Sequence, residues 1–386
     1  MNTHRRTRVA LLAALAPAFI ATASLAMAAA PAAPGSVEEV MTRLRVQESP
    51  TAINANPRWR APRKIVLLAF GAAWAERIPA LQAAAPGARI VPAATLQQAI
   101  TEAADADVIV GNNPEICDQR ILGAAKELRW VQSLNAGVDL CMRAPAIRAP
   151  NLLVTNMRGV DAPAIAEHAV AMMLALAHGL DVFAVDTSKE IWSREHAANV
   201  PVQMLTGKTL LVSGLGGIGT QIAQRAHGLG MKVIATRQGD GPTYPFVEYI
   251  GQPDELLTLA RRADVIISAV PLTRETTGLY DAKFFAVLKP NTLFLNIARG
   301  PSVVTADLMN ALNEKRIAGA GLDVSDPEPL PPGHPLWKSP RLLTTPHISG
   351  RSDLPGDDRW TLLAENFRRY IAGGRMLQVV DVQRGY

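Results

Sequence analysis

At 386 residues the chain is long enough for two ordinary domains, each with its own core. Hydrophobic residues at 48% against 19% charged mark a folded globular protein and exclude collagenous and low-complexity classes. Arg5, Arg6 and Arg8 supply three units of the net charge of +5, and the rest of the chain is close to balanced. No basic stripe with interleaved aromatics is present, so no nucleic-acid partner is expected.

Residues 1–30 contain no acid. The Arg5–Arg6 pair precedes an apolar run, and small residues at Ala26–Ala30 offer an A-x-A cleavage site. The segment reads as a signal peptide of twin-arginine type. That reading implies a periplasmic or exported protein, with no stable membrane insertion once the signal is removed. The alternatives are an uncleaved anchor, or translation starting at Met27 or Met41, which leaves the protein cytoplasmic.

Residues 31–62, rich in Pro, Ala and charge, read as an N-terminal arm or linker. From Arg63, β-type runs at 63–70, 88–93, 106–111, 128–134 and 151–156 alternate with helical patterns. A long amphipathic pattern fills 162–180. Alternation then resumes at 207, with runs at 232–236, 264–270, 292–298, 318–324 and 341–347. A helical pattern at 359–374 follows, expected to pack back on the first unit. The fold class is therefore α/β, with two Rossmann-like doubly wound units. Cys117 and Cys141, the two cysteines, fit no metal spacing, and no metal is expected. An exported chain would allow them to pair, but two partly buried thiols is the reading adopted.

The segment "LLVSGLGGIGTQIAQRA" is an apolar strand, a Gly214-x-Gly216-x-x-Gly219 turn and a helix. Gly214 suits a tight turn, Gly216 a close backbone approach to a pyrophosphate, and Gly219 close helix–strand packing. The phosphates would lie at the helix N-terminus, against Gly217 and Ile218. Dinucleotide sites that take NAD usually end the next strand with an acid. Here Thr236 and Arg237 stand there, and a guanidinium suits a 2′-phosphate. NADP(H) is the preferred cofactor on this reading, with NAD(H) the alternative. Ligands of such sheets gather at the carboxyl ends of strands, which adds Val270, Pro271 and Ala298 to the cofactor cleft.

Further candidates lie in "LFLNIARGPSVV", "GAGLDVSDPEPLP" and "TTPHISG". Arg299 and Asp323 follow apolar runs, Glu328 lies in a loop, and His347 ends the last run. Together with "NAGVD" (135–139), "AEHAVAMMLAL" (166–176) and "PLTRETTGLYD" (271–281), these segments resemble the D-isomer-specific 2-hydroxyacid dehydrogenase family over residues 63–386. The resemblance implies a catalytic trio of Arg299, Glu328 and His347, with Asp323 a supporting acid counted with the cofactor site. It also implies that Ala136, Gly137 and Val138 bind substrate carboxylate alongside Arg299. The substrate would be a small 2-keto or 2-hydroxy acid, and the assembly a homodimer. The expected domains are 63–155 and 346–386 for substrate and 156–345 for the dinucleotide.

The chemistry suits these residue types. A histidine can give a proton to a carbonyl oxygen near neutral pH, a carboxylate can orient it, and an arginine can grip a carboxylate. A glyoxylate/hydroxypyruvate-type reductase is the leading reading. The alternative is a nucleotide-sensing, corepressor-like binding protein on the same scaffold, with little turnover.

Overall fold

The computed structural model describes residues 36–70, 74–353 and 357–385. The expected signal peptide, 1–30, lies outside the described residues. Strands β1 (Glu48–Ala52), β2 (Lys64–Leu68), β3 (Arg89–Ala93), β4 (Val108–Gly111), β5 (Trp130–Ser133) and β6 (Leu153–Thr155) come first. Then follow β7 (Thr209–Ser213), β8 (Lys232–Thr236), β9 (Tyr249–Gly251), β10 (Val265–Ser268), β11 (Leu293–Asn296), β12 (Gly319–Leu322), β13 (Leu342–Thr344) and β14 (Arg375–Leu377).

Two parallel sheets result. One has five strands in the order β3-β2-β4-β5-β6, and the other seven in the order β13-β12-β11-β10-β7-β8-β9. Both orders reverse beside their first strand, which opens a crevice at the carboxyl ends there. The interior strands are runs such as Val-Ile-Ile-Ser and Leu-Phe-Leu-Asn, buried on both faces because helices cover both sides. The helix Ala162–Ala177 starts on Pro163, packs against the helix Gly217–Gly228, and buries Ala166, Ala169, Met173 and Leu176 in the larger unit. Gly179, at φ +69°, ends it, and the helix Leu180–Ser188 leaves at 76°. No single described helix is long and apolar enough to cross a membrane.

The segment read as an arm or linker is folded into the smaller unit over its described part. Ser36 and Glu39 form a capping box for the helix Val37–Leu44, whose Val40 and Leu44 enter the core around β2, β4 and β5. β1 pairs antiparallel with β14. The helix Asp357–Ile371 adds Leu363, Phe367 and Tyr370 to the same core, where Trp130 stacks on Tyr370 at 4.8 Å and meets Phe367 edge-on at 5.8 Å. Trp74 is buried beside Trp360. Buried Asp107 ties the entry to β2 by accepting from Arg60 and from the Arg63 and Lys64 N–H groups. Burial pushes its carboxyl up, but those bonds together hold it below the usual range.

Cys117 and Cys141 are bridged, which corrects the reading of two thiols. The loops after β4 and β5 bring their Cα atoms to 4.5 Å, within reach of a disulfide, although 24 positions separate them in sequence. Closing a loop of that length removes about 3 kcal/mol of unfolded-state entropy in chain-entropy terms.

Candidate active site

The glycine turn follows β7. Gly214 has φ +98°, and a Cβ there would meet the Ala269 carbonyl oxygen at 2.8 Å and the Val270 nitrogen at 3.0 Å. A Cβ at Gly219 would overlap the Gly214 carbonyl, so the helix Gly217–Gly228 packs as closely as its backbone permits. Gly216 is different. It has no neighbour within 4 Å of its Cβ direction and stands at the N-cap, before the N–H groups of Gly217 and Ile218. That opening, with free donors at a helix N-terminus, fits a dinucleotide pyrophosphate. Pro271 is exposed and follows Val270, whose nitrogen the bare Cα of Gly214 abuts.

Thr236 is buried at the end of β8, where its carbonyl accepts from the Gly214 and Leu215 N–H groups. Arg237 turns onto the following loop and donates to the Gly241 and Pro242 carbonyls at 3.0 and 2.8 Å. Its Nε is buried without a partner. The guanidinium is therefore held on the loop after β8 by two neutral carbonyl acceptors.

Arg299 leaves β11 through a turn shaped by buried Asn296, whose side chain accepts from the Ala298 N–H and donates to the Arg299 carbonyl. The Arg299 Nε donates to Asp139 at 2.9 Å. A Cβ at Gly137 would overlap the Arg299 Nη2, so Gly137 is needed for the guanidinium to lie against the 135–139 loop. Asn113, in the loop after β4, braces that loop: its N–H donates to Asn135 Oδ1 at 2.6 Å and its Nδ2 to the Gly137 carbonyl at 2.7 Å. The Ala136 carbonyl accepts from Asn156 Nδ2, and Val138 is buried.

His347 follows β13, with φ +53°, a left-handed conformation that costs a non-glycine residue of order 1 kcal/mol or more. Asp323 holds it there. The Asp323 carbonyl accepts from the His347 N–H, and its carboxylate accepts from Thr345 Oγ1 at 2.7 Å and the Ile348 and Ser349 N–H groups at 2.9 and 3.0 Å. Burial pushes the carboxyl of Asp323 up, but the Ser349, Thr345 and Ile348 donors together bring it below the usual range. Asp323 is 1% exposed and serves the turn rather than opening onto the crevice. Because Thr345 Oγ1 donates to Asp323, it accepts from His168 Nε2 at 2.9 Å. His347 Nδ1 meets Glu328 Oε1 at 2.6 Å, and both side chains are well exposed. The Glu328 loop is fixed by Thr305 Oγ1 donating to the Asp326 carbonyl, and Gly300, next to Arg299, abuts the Ser325 carbonyl.

The structure thus joins His347 to Glu328 and Arg299 to Gly137, and sets the loops of both pairs in contact through Gly300 and Ser325. Sequence reasoning assigned no role to Asn113, Asp139, His168 or Asn296. Asp139, His168 and Asn296 lie inside the segments already singled out, whereas Asn113 carries no sequence signal beyond being polar after an apolar strand.

Residues 170–349 match the model of the D-isomer specific 2-hydroxyacid dehydrogenase NAD binding domain. The chain is 31% identical over 276 residues to a glyoxylate reductase of Thermococcus litoralis, covering 70% of this chain and 82% of the relative. A D-isomer specific 2-hydroxyacid dehydrogenase family protein of Aeromonas salmonicida superposes with a TM-score of 0.71 at 31% identity, over 83% of this chain and 99% of that one. The dehydrogenase of Xanthobacter autotrophicus, solved with NADPH and MES, superposes with a TM-score of 0.72 at 26% identity, over 85% and 100%. The chain spans about half the length of the D-3-phosphoglycerate dehydrogenases it also matches, 54% of the Methanocaldococcus jannaschii protein. Two doubly wound sheets, a glycine turn with an open N-cap, and this likeness over most of the glyoxylate reductase and nearly all of the two solved relatives place the chain in the D-isomer specific 2-hydroxyacid dehydrogenase family, as an NAD(P)-dependent oxidoreductase.

Proposed function

We propose that the protein is a reductase of small 2-keto acids of the glyoxylate/hydroxypyruvate type, preferring NADP(H). The observation that carries the reading is the 2.6 Å contact between His347 Nδ1 and Glu328 Oε1. With Nδ1–H donated to the carboxylate, Nε2 is the nitrogen left for substrate. His347 then gives its Nε2 proton to the keto oxygen, and Glu328 keeps the ring oriented. Arg299 and the N–H groups of Ala136, Gly137 and Val138 bind the carboxylate of the acid, which fixes the keto carbon beside the histidine. The nicotinamide ring supplies the hydride when the cofactor is bound. Gly216, Gly217 and Ile218 take the pyrophosphate, Gly214 and Gly219 shape the turn that presents them, and Val270, Pro271 and Ala298 line the same crevice.

Arg237 and the lack of an acid at the end of β8 support NADP(H), as does the NADPH in the Xanthobacter autotrophicus relative. The leader and the Cys117–Cys141 bridge together support an exported protein, since disulfides persist in oxidising compartments. Exposed Leu180, Val185, Trp192, Val202 and Met204, beyond the helix Ala162–Ala177, support a homodimer that covers them.

The test is oxidation of NADPH and NADH by the chain lacking residues 1–30, with glyoxylate, hydroxypyruvate and pyruvate. Faster oxidation of NADPH is expected, with His347→Ala lowering turnover by roughly 10²–10⁴-fold. An NADH preference overturns the role of Arg237 and leaves the dehydrogenase standing. Cofactor binding without turnover favours the sensing protein.

A further inference from the structure

The disulfide lies at the ligand edge of the five-stranded sheet. Cys117 ends the short helical turn Glu115–Cys117 after β4, and Cys141 begins the turn Cys141–Arg143, two residues after Asp139. Ahead of it, Asn113 bonds to Asn135 and to the Gly137 carbonyl. The 135–141 loop is therefore tied to the 113–117 loop at both ends, by hydrogen bonds in front and a covalent bond behind. Cys141 is 1% exposed and packs with Val138 and Ile116, so the covalent end is also the packed end. What rests on this loop is Arg299, through Asp139 and the bare Cα of Gly137.

We propose that the Cys117–Cys141 disulfide is a positioning element for substrate: it holds Ala136–Val138, and through Asp139 the Arg299 guanidinium, where a 2-keto acid carboxylate is received. The proposal rests on the reading that this loop and Arg299 bind that carboxylate. Opening the bridge leaves the seven-stranded sheet and its glycine turn untouched and loosens the loop by the freedom of one missing covalent tie. Activity is then thiol-sensitive through the keto acid and not through the cofactor. The opening step is reduction by a dithiol such as dithiothreitol. The S–S bond takes two electrons and two protons, giving two thiols, while the reagent becomes its cyclic disulfide.

The experiment compares oxidised and dithiothreitol-reduced enzyme (residues 31–386), with thiols counted by mass spectrometry. KM for glyoxylate, kcat, and the Kd of NADPH by its fluorescence are measured in both states. Reduction is expected to lower kcat/KM for glyoxylate by roughly ten- to a hundredfold, chiefly through KM, because a displacement of about 1 Å in a positioning loop has effects of that order. The Kd of NADPH should stay within about twofold, and reoxidation by oxidised glutathione should restore KM. Cys117→Ser/Cys141→Ser should show the high KM and no further response to dithiothreitol. If that variant does not fold, the reduced wild-type enzyme decides. An unchanged KM with both thiols free overturns the proposal alone. Failure of the oxidised enzyme to turn over any 2-keto acid overturns the proposal together with the reading beneath it.

Discussion

On the proposed function the turn at 214–219 and the loop at 135–141 serve the two halves of one reaction, and they are built in opposite ways. The turn is backbone against backbone: Gly214 against Ala269 and Val270, Gly219 against Gly214. The loop is backbone against side chains, held by Asn113, Asn156, a disulfide and the Arg299–Asp139 pair. A phosphate is the same in every dinucleotide, so its cradle can be made rigidly from peptide groups. A substrate loop held by side chains can change its grip without changing the fold.

The largest effect that sharpens this contrast is expected from Gly214→Ala. Left-handed backbone and overlap with a peptide group together cost roughly 2–4 kcal/mol, and dinucleotide binding is lost with the turn. Urea unfolding and NADPH titration check both. Gly216→Ala is the control within the turn: with open space at that Cβ, stability should stay within about 0.5–1 kcal/mol while NADPH binding weakens.

Next comes Gly137→Ala. The atom it strikes is the far end of a flexible side chain, so the thermal midpoint should hardly move. With Arg299 displaced, kcat/KM for the keto acid should fall by roughly 10²-fold. A destabilisation as large as that of Gly214→Ala would break the contrast. Asn113→Ala should be milder, at roughly fivefold in KM, since it removes one hydrogen bond, from Nδ2 to the Gly137 carbonyl, that contributes about 1 kcal/mol, while the backbone N–H bond to Asn135 remains.

The smallest effect concerns the His347 turn. The folded-state carboxyl of Asp323 lies below its unfolded value of 3.8, so its contribution is complete above that pH and is lost as pH falls through the lower, folded value. Urea midpoints of the wild type and Asp323→Asn should therefore differ at neutral pH and converge in acid. A gap that persists at the lowest pH would remove the tether from the account.

Legibility in the sequence followed the same division. The interior parallel strands could be read because both faces are covered and the runs are continuously apolar; β8 coincides with its expected span. β1, β9 and β14 could not, since Glu-Ser-Pro-Thr-Ala, Tyr-Ile-Gly and Arg-Met-Leu have neither a run nor an alternation. Composition misjudged residues 36–62, although the Ser36–Glu39 capping box was there to be found. Each glycine of the 214–219 turn could be given its task because backbone geometry dictates residue type locally. Asn113 and the disulfide depend on loops from different strands meeting, which no local pattern encodes.

The folding of β1 against β14 carries a consequence for the order in which the molecule is made. Arg43 pairs with Asp358 across 315 positions, and Glu48 with Arg369 across 321. The seven-stranded sheet draws on one uninterrupted stretch and can close while the ribosome is still translating. The smaller unit has its first helix synthesised before that stretch and must wait for residues 357–377, made after it, to cover Val40 and Leu44. The nascent protein thus passes through a stage in which one half is mature and the other still offers a bare apolar flank to chaperones.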